Sequence, residues 1–229
     1  IYINDSWEMS MMSSFSQLEN ISLPGSSVNF PITMMAADVD ALRAYYGTGA
    51  AFAGNTTYGV KTNIPASTNY ILANLRTFAG TNAFCIVDDG GTDTVDFSNF
   101  SVDQRLDLTV RSVNDTSNFG NTTSDIGGLV RNMTLAAGTL IENAILGSGN
   151  DSITGNYVNN VLVGGAGNDS ILGLEGDDTL DGGSGVDTME GGLGNDVFFL
   201  HNIGDVAIEA ADAGTDRVES SNTCLLYTS

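Results

Sequence analysis

The chain of 229 residues carries 28 Asp plus Glu against 7 Lys plus Arg, a formal net charge of −21. So acidic a surface repels phosphate backbones, which excludes a nucleic-acid partner. With 41% apolar residues the chain can still bury a core, yet no stretch reaches the roughly 18 apolar residues of a membrane-spanning helix, and the three-part pattern of a signal peptide is absent.

Taken in chain order, Ile1-Tyr2-Ile3 opens without an initiator Met, so the native amino terminus is expected upstream. A Met-rich stretch follows, Ser10-Met11-Met12-Ser13-Ser14-Phe15-Ser16. Residues 38–47 predict a short helix, with Val39, Leu42 and Tyr46 on one face, acids in the first turn and Gly47 as its stop. Next come Gly54-Asn55-Thr56-Thr57-Tyr58-Gly59 and an acidic glycine turn whose Asp88, Gly90, Gly91 and Asp93 are candidate oxygen ligands ahead of an alternating strand, Thr94 to Phe97.

From Leu146 to Phe199 the sequence divides into six uninterrupted nonads, LGSGNDSIT, GNYVNNVLV, GGAGNDSIL, GLEGDDTLD, GGSGVDTME and GGLGNDVFF. Position four is Gly149, Gly167, Gly176, Gly185 and Gly194, broken by Val158; position six is Asp151, Asp169, Asp178, Asp187 and Asp196, broken by Asn160. Position eight is apolar in every copy, through Ile153, Leu162, Ile171, Leu180, Met189 and Phe198. Glycines at positions two and four, including Gly147, Gly165, Gly183 and Gly192, let the backbone turn carbonyl oxygens where a side chain would block them. The last three residues of each nonad predict a short strand with its middle side chain in a core.

Two nonads then form one coil, so that Asp151, Asp169 and Asp187 line one edge, and Asn160, Asp178 and Asp196 the other. Carboxylates about 5 Å apart repel by roughly 3 kcal/mol at an effective dielectric near 20. No Lys or Arg lies between residues 146 and 199 to offset this, so a cation has to supply the charge. Carboxylate and carbonyl oxygens without Cys or His suit several Ca²⁺ ions better than Zn²⁺ or Mg²⁺. Just upstream, Leu140 to Ile145 fits the same register, with Glu142 at position six beside the edge of Asn160; on this pattern Asp196 closes its edge.

The nonad resembles the RTX, or hemolysin-type, calcium-binding repeat. Together with the Met-rich stretch, the 38–47 segment, the Asp88 to Phe97 turn and Ile141-Glu142-Asn143, it resembles the carboxyl-terminal half of the serralysin family of secreted zinc proteases. The resemblance implies a mainly β fold, a right-handed parallel β-roll with a preceding β region and one short N-terminal helix. It divides the chain into a catalytic-domain remnant (1–46) with Met12 beneath the zinc, a β region (47–145), the six repeats (146–199) and a flank (200–223). It also implies an extracellular protein that uses type I secretion machinery through a missing carboxyl terminus and meets protein substrates through a missing catalytic half, where any Zn²⁺ would sit.

Departures from the family pattern limit this. The zinc helix HExxHxxGxxH is absent, His201 being the sole histidine, so this chain should be catalytically inactive. Ser14 stands where a Tyr is expected, and Asn55 replaces the Asp of GDTxYG. The final Cys224 to Ser229 resembles the translation of a sequencing adapter and is set aside from fold reasoning, which leaves Cys85 without a disulfide partner. An RTX surface protein or adhesin without enzymatic activity is the alternative. A zinc helix about 40 residues before Met12 would favour the protease.

Overall fold

The computed structural model of the chain describes residues 52–66, 69, 72–111, 123–209, 213–221 and 227–228. The Met-rich stretch with Met12 and the helix expected at 38–47 lie outside them. The chain is mainly β, and in chain order its strands are β1 (Thr57–Gly59), β2 (Phe84–Ile86), β3 (Thr94–Asp96), β4 (Arg105–Asp107), β5 (Thr123–Ser124), β6 (Met133–Leu135), β7 (Asn143–Ile145) and β8 (Ser152–Thr154). They continue as β9 (Val161–Ala166), β10 (Ser170–Glu175), β11 (Thr179–Ser184), β12 (Thr188–Leu193), β13 (Val197–Leu200), β14 (Val206–Ile208), β15 (Arg217–Ser220) and β16 (Tyr227–Thr228). One short helix, α1 (Leu75–Phe78), follows a 3₁₀ turn at Leu72–Asn74.

Two compact units divide the described residues, one formed by those up to Asp93 with Val110–Leu140, the other by Thr94–Thr109 with the residues from Ile141 onward. In the first unit β2 pairs in parallel with β6, and β5 runs antiparallel to β6. Its core gathers Tyr58, Leu75, Phe84, Ile86, Ile126 and Met133. Buried Asn132 ties these pieces together, since its amide donates to the carbonyls of Ala79 and Ile126 while its Oδ1 accepts from the Ile126 N–H.

The second unit is a parallel β-roll. One sheet runs β3-β7-β9-β11-β13-β15 and the other β16-β14-β12-β10-β8-β4. Consecutive strands of the array therefore alternate between sheets, and Ile171 pairs with both Ile153 and Met189 at a spacing of eighteen residues. Every position-eight side chain of the six nonads is at most 2% exposed. Burying each is worth about 1.5 to 3 kcal/mol, and with one such residue per strand the core is only one side chain deep.

Two features depart from the sequence reading. The inner strands run six residues, from position seven of one nonad to position three of the next, because the position-one and position-two glycines continue the ladder: Gly183 pairs with Gly165 as well as Leu180 with Leu162. The roll also extends beyond the in-register stretch at Leu140 to Ile145, since Val95 pairs with Ala144 and Leu106 with Ile153.

Candidate metal centre

Position two carries a positive φ in four consecutive nonads, at Gly165 (110°), Leu174 (90°), Gly183 (89°) and Gly192 (111°). Glycine adopts this region freely, whereas Leu174 does so against its Cβ. Position four follows suit at Gly167, Gly176, Gly185 and Gly194. A Cβ at Gly167 would collide with the Gly149 carbonyl oxygen, and one at Gly185 with that of Gly167. Stacking of coils thus requires bare Cα atoms at these turns. Gly185→Ala should cost at least about 1 kcal/mol from its φ of 140° alone, and more from the collision. A calcium-saturated chain melting at the wild-type temperature would contradict this.

Position six builds a ladder along each edge. The Asp151 N–H donates to Asp169 Oδ1 at 2.7 Å, the Asp169 N–H to Asp187 Oδ1 at 2.8 Å, and the Asp187 N–H to Asp205 Oδ1 at 3.1 Å. On the opposite edge the Asn160 N–H donates to Asp178, Asp178 to Asp196, and Asp196 to Asp216. Position five forms a second ladder of opposite sense, in which the N–H of the later coil donates to the side-chain oxygen of the earlier one: Asn168 to Asn150, Val186 to Asn168, Asp177 to Asn159 and Asn195 to Asp177.

The second oxygen of each position-six carboxylate separates the sites. In Asp169, Asp178, Asp187 and Asp196 this Oδ2 is buried with no hydrogen-bond donor. Each lies against the position-one glycine of its own nonad, Gly164, Gly173, Gly182 and Gly191. Asp151 differs, because its Oδ2 accepts from the Gly147 N–H at 3.2 Å. So does Asn160, whose Oδ1 accepts from the Asn156 N–H at 2.8 Å while its amide donates to the Glu142 carbonyl. The cause is the backbone at position two. Gly147 and Asn156 lack the positive φ of the four inner nonads, and there the N–H reaches the carboxylate slot.

An orphaned, buried carboxylate oxygen is costly unless a cation meets it. Burial raises the Asp178 carboxyl to about 7, with the charges of Asp196 and Asp177 adding to the rise. Burial raises Asp169 to about 6, helped by Asp151 and Asp187. Asp151, Asp187 and Asp196 are also raised, again first by burial. Oxygen donors alone, with no thiolate or imidazole, fit a hard ion.

The edges do not end where the repeat does. The expectation that Asp196 closes its edge is overturned, since Asp216 follows it after twenty residues rather than eighteen, and Asp205 follows Asp187. Two inserted residues and the loss of the position-one and position-two glycines concealed the register, although Gly214 still stacks on Gly194. Asp205 Oδ2 accepts from the N–H groups of His201 and Asn202, which closes that slot. At the other end Gln104 underlies Asp151, its N–H donating to Asp151 Oδ1 at 2.7 Å.

In the first unit the same stacking recurs once. Gly91, with a φ of 138°, lies over the backbone of Gly54. The Thr92 N–H donates to Asn55 Oδ1 at 3.0 Å, and the Thr56 N–H to Asp93 Oδ1 at 2.6 Å, which are the position-five and position-six contacts of the array. Asn55 thus serves in the ladder despite its departure from Asp. Asp88 is engaged by the Tyr58 hydroxyl at 2.6 Å and by the Gly90 N–H at 2.9 Å; burial first, and then this carboxylate, push the Tyr58 phenol far above its ordinary range.

Comparison with known proteins came out consistently. Residues 50–224 match the family described as peptidase M10 serralysin C terminal. The chain is 38% identical over 162 residues to serralysin of Photorhabdus luminescens, covering 70% of this chain and 30% of that protein. It is 38% identical over 154 residues to serralysin C of Dickeya chrysanthemi, covering 66% and 28%, and 38% identical over 126 residues to metallopeptidase AprA of Pseudomonas marginalis, covering 55% and 24%. The matches thus span between about a quarter and a third of those relatives.

Proposed function

The chain belongs to the peptidase M10 serralysin C-terminal family, and from that premise we propose that it is the calcium-binding β-roll portion of a secreted zinc metalloendopeptidase, serving calcium-triggered folding and type I secretion. The observation that carries the calcium reading is the set of four buried, orphaned oxygens on Asp169, Asp178, Asp187 and Asp196. In this reading their carboxylates hold the ions, with backbone carbonyls of the position-two and position-four residues completing oxygen coordination. The bound ion supplies positive charge and nothing else; the protein's part is to hold the oxygens in place and keep water from the carboxylate slots. A catalytic half upstream would provide the zinc, and the parent protein's substrates and export belong to this proposal too. Among the described residues no helix is long and apolar enough to cross a membrane.

Calorimetric calcium titration of the whole chain tests the assignment. Asp169→Asn should weaken calcium binding by about tenfold or more, through loss of a charged ligand. Asp151→Asn should cost much less, because its slot oxygen already has the Gly147 N–H. Equal losses would show that the orphaned oxygens do not mark the sites, and no calcium uptake by the wild type would remove the calcium reading altogether.

A further inference from the structure

The first coil of the array, residues 146–163, closes its edges differently from the four nonads that follow. On one edge the Asp151 carboxylate is met by N–H groups on both oxygens, from Gln104 at 2.7 Å and from Gly147 at 3.2 Å. On the other edge two neutral amides, Asn156 and Asn160, stand buried at 2% and 1% exposure. The Asn160 amide nitrogen donates to the Glu142 carbonyl at 3.0 Å and to Asn156 Oδ1 at 3.2 Å, while Asn160 Oδ1 accepts from the Asn156 N–H at 2.8 Å. The Asn156 amide nitrogen reaches back to the carbonyls of Ile141 at 2.8 Å and Leu108 at 3.4 Å, and its Oδ1 also accepts from the Val158 N–H. Every side-chain nitrogen and oxygen of the pair therefore has a protein partner. A Cβ at Gly155 would meet Asn160 Oδ1, as one at Gly173 would meet Asp178 Oδ2, so the Asn160 amide occupies the place that the next coil gives to an orphaned carboxylate.

A side-chain N–H offers partial positive charge to carbonyl oxygens, as a bound cation would. A buried network that is neutral and fully satisfied also avoids the cost of an unpaired buried charge. The coil is anchored upstream by strand pairing, Ile153 with Leu106 and Leu162 with Ala144. We propose that residues 146–163, with the strands they pair upstream, form a calcium-independent template in which the Asn156 and Asn160 amides stand in for an ion, and that the calcium-dependent coils assemble onto it in chain order. The proposal rests on the calcium reading above for the later coils, whereas the template itself needs no metal.

Amide hydrogen exchange of the full chain, read residue by residue in excess chelator and in millimolar calcium, tests this. In chelator the N–H groups of Ser152, Asn156 and Val161, which donate to Gln104, Asn160 and Glu142, should exchange at least about tenfold more slowly than those of Ser170, Thr179 and Thr188, which donate to Asp151, Asn160 and Asp169. In calcium both sets should be protected. Asn156→Ala should remove the protection seen in chelator and leave the number of bound ions unchanged. Asn156→Gly combined with Asn160→Asp recreates the later pattern of glycine at position two and carboxylate at position six. In calorimetric titration this double variant should bind one calcium ion more than the wild type, and in chelator it should lose the protected set. The template is overturned if both sets exchange equally fast in the wild type in chelator, if Asn156→Ala keeps the protection, or if the double variant gains no ion. Both sets equally slow with and without calcium would instead overturn the calcium reading of the later coils. The wild-type comparison decides the matter even where a variant fails to fold.

Discussion

Circular dichroism of the chain in excess chelator should show little of the β signal that appears when calcium is raised to a few millimolar. Four carboxylate oxygens are buried without donors, and residues 146–199 contain no Lys or Arg. Each uncompensated buried charge costs several kcal/mol. Against this the roll offers a core one side chain deep. A metal bound only by the folded state adds its binding free energy to stability, so folding follows metal concentration. Extracellular calcium modules bind between about 10⁻⁴ and 10⁻³ M, which places the transition above cytosolic calcium. An identical β signal in chelator and in calcium would rule this account out.

Acid should partly replace calcium. The folded, metal-free coil holds the Asp178 carboxyl at about 7 and Asp169 at about 6, with burial as the first cause in both. In the unfolded chain each returns to about 3.9. Between these values the folded state binds more protons, so stability contributed by the two groups is fully present below about pH 4 and falls as pH rises, the loss levelling off only above about 7. In chelator, the β signal absent at neutral pH should therefore return progressively as the pH is lowered from about 7 to 4. Asp178→Asn should flatten the upper part of that profile, between about pH 6 and 8, while weakening calcium binding at neutral pH. A profile that is flat in the wild type, or unchanged by Asp178→Asn, would show that these carboxyls are not buried in the metal-free state.

The repeating part of the fold was legible because two columns carry separate physics. Position eight set the core, and position six set the edges, down to the pairing of Asp169 with Asp151 and Asp187. Elsewhere the partners are not at a fixed interval. Gln104 lies 47 residues before Asp151, and Thr56 lies 37 before Asp93, separations that hide a stacked coil from any search for periods. Asp216 was missed for a smaller reason, two inserted residues. Nor did residue type reveal which carboxylates lack donors. Asp151 and Asp169 stand in nearly identical nonads, and what divides them is the backbone turn at Gly147 and Gly165. The Met-rich stretch and the 38–47 helix fall outside the described residues.

The two side-chain ladders, running in opposite senses, bind each coil only to the one before and the one after. Such an assembly behaves as a row of coupled units rather than as a globule. Opening spreads inward from an end, one coil at a time, and amide protons near Leu180 should exchange more slowly than those near Ala207 or Leu106. A defect in the middle carries a different penalty from one at the margin, because it divides one long row into two short ones, each with a new fraying end.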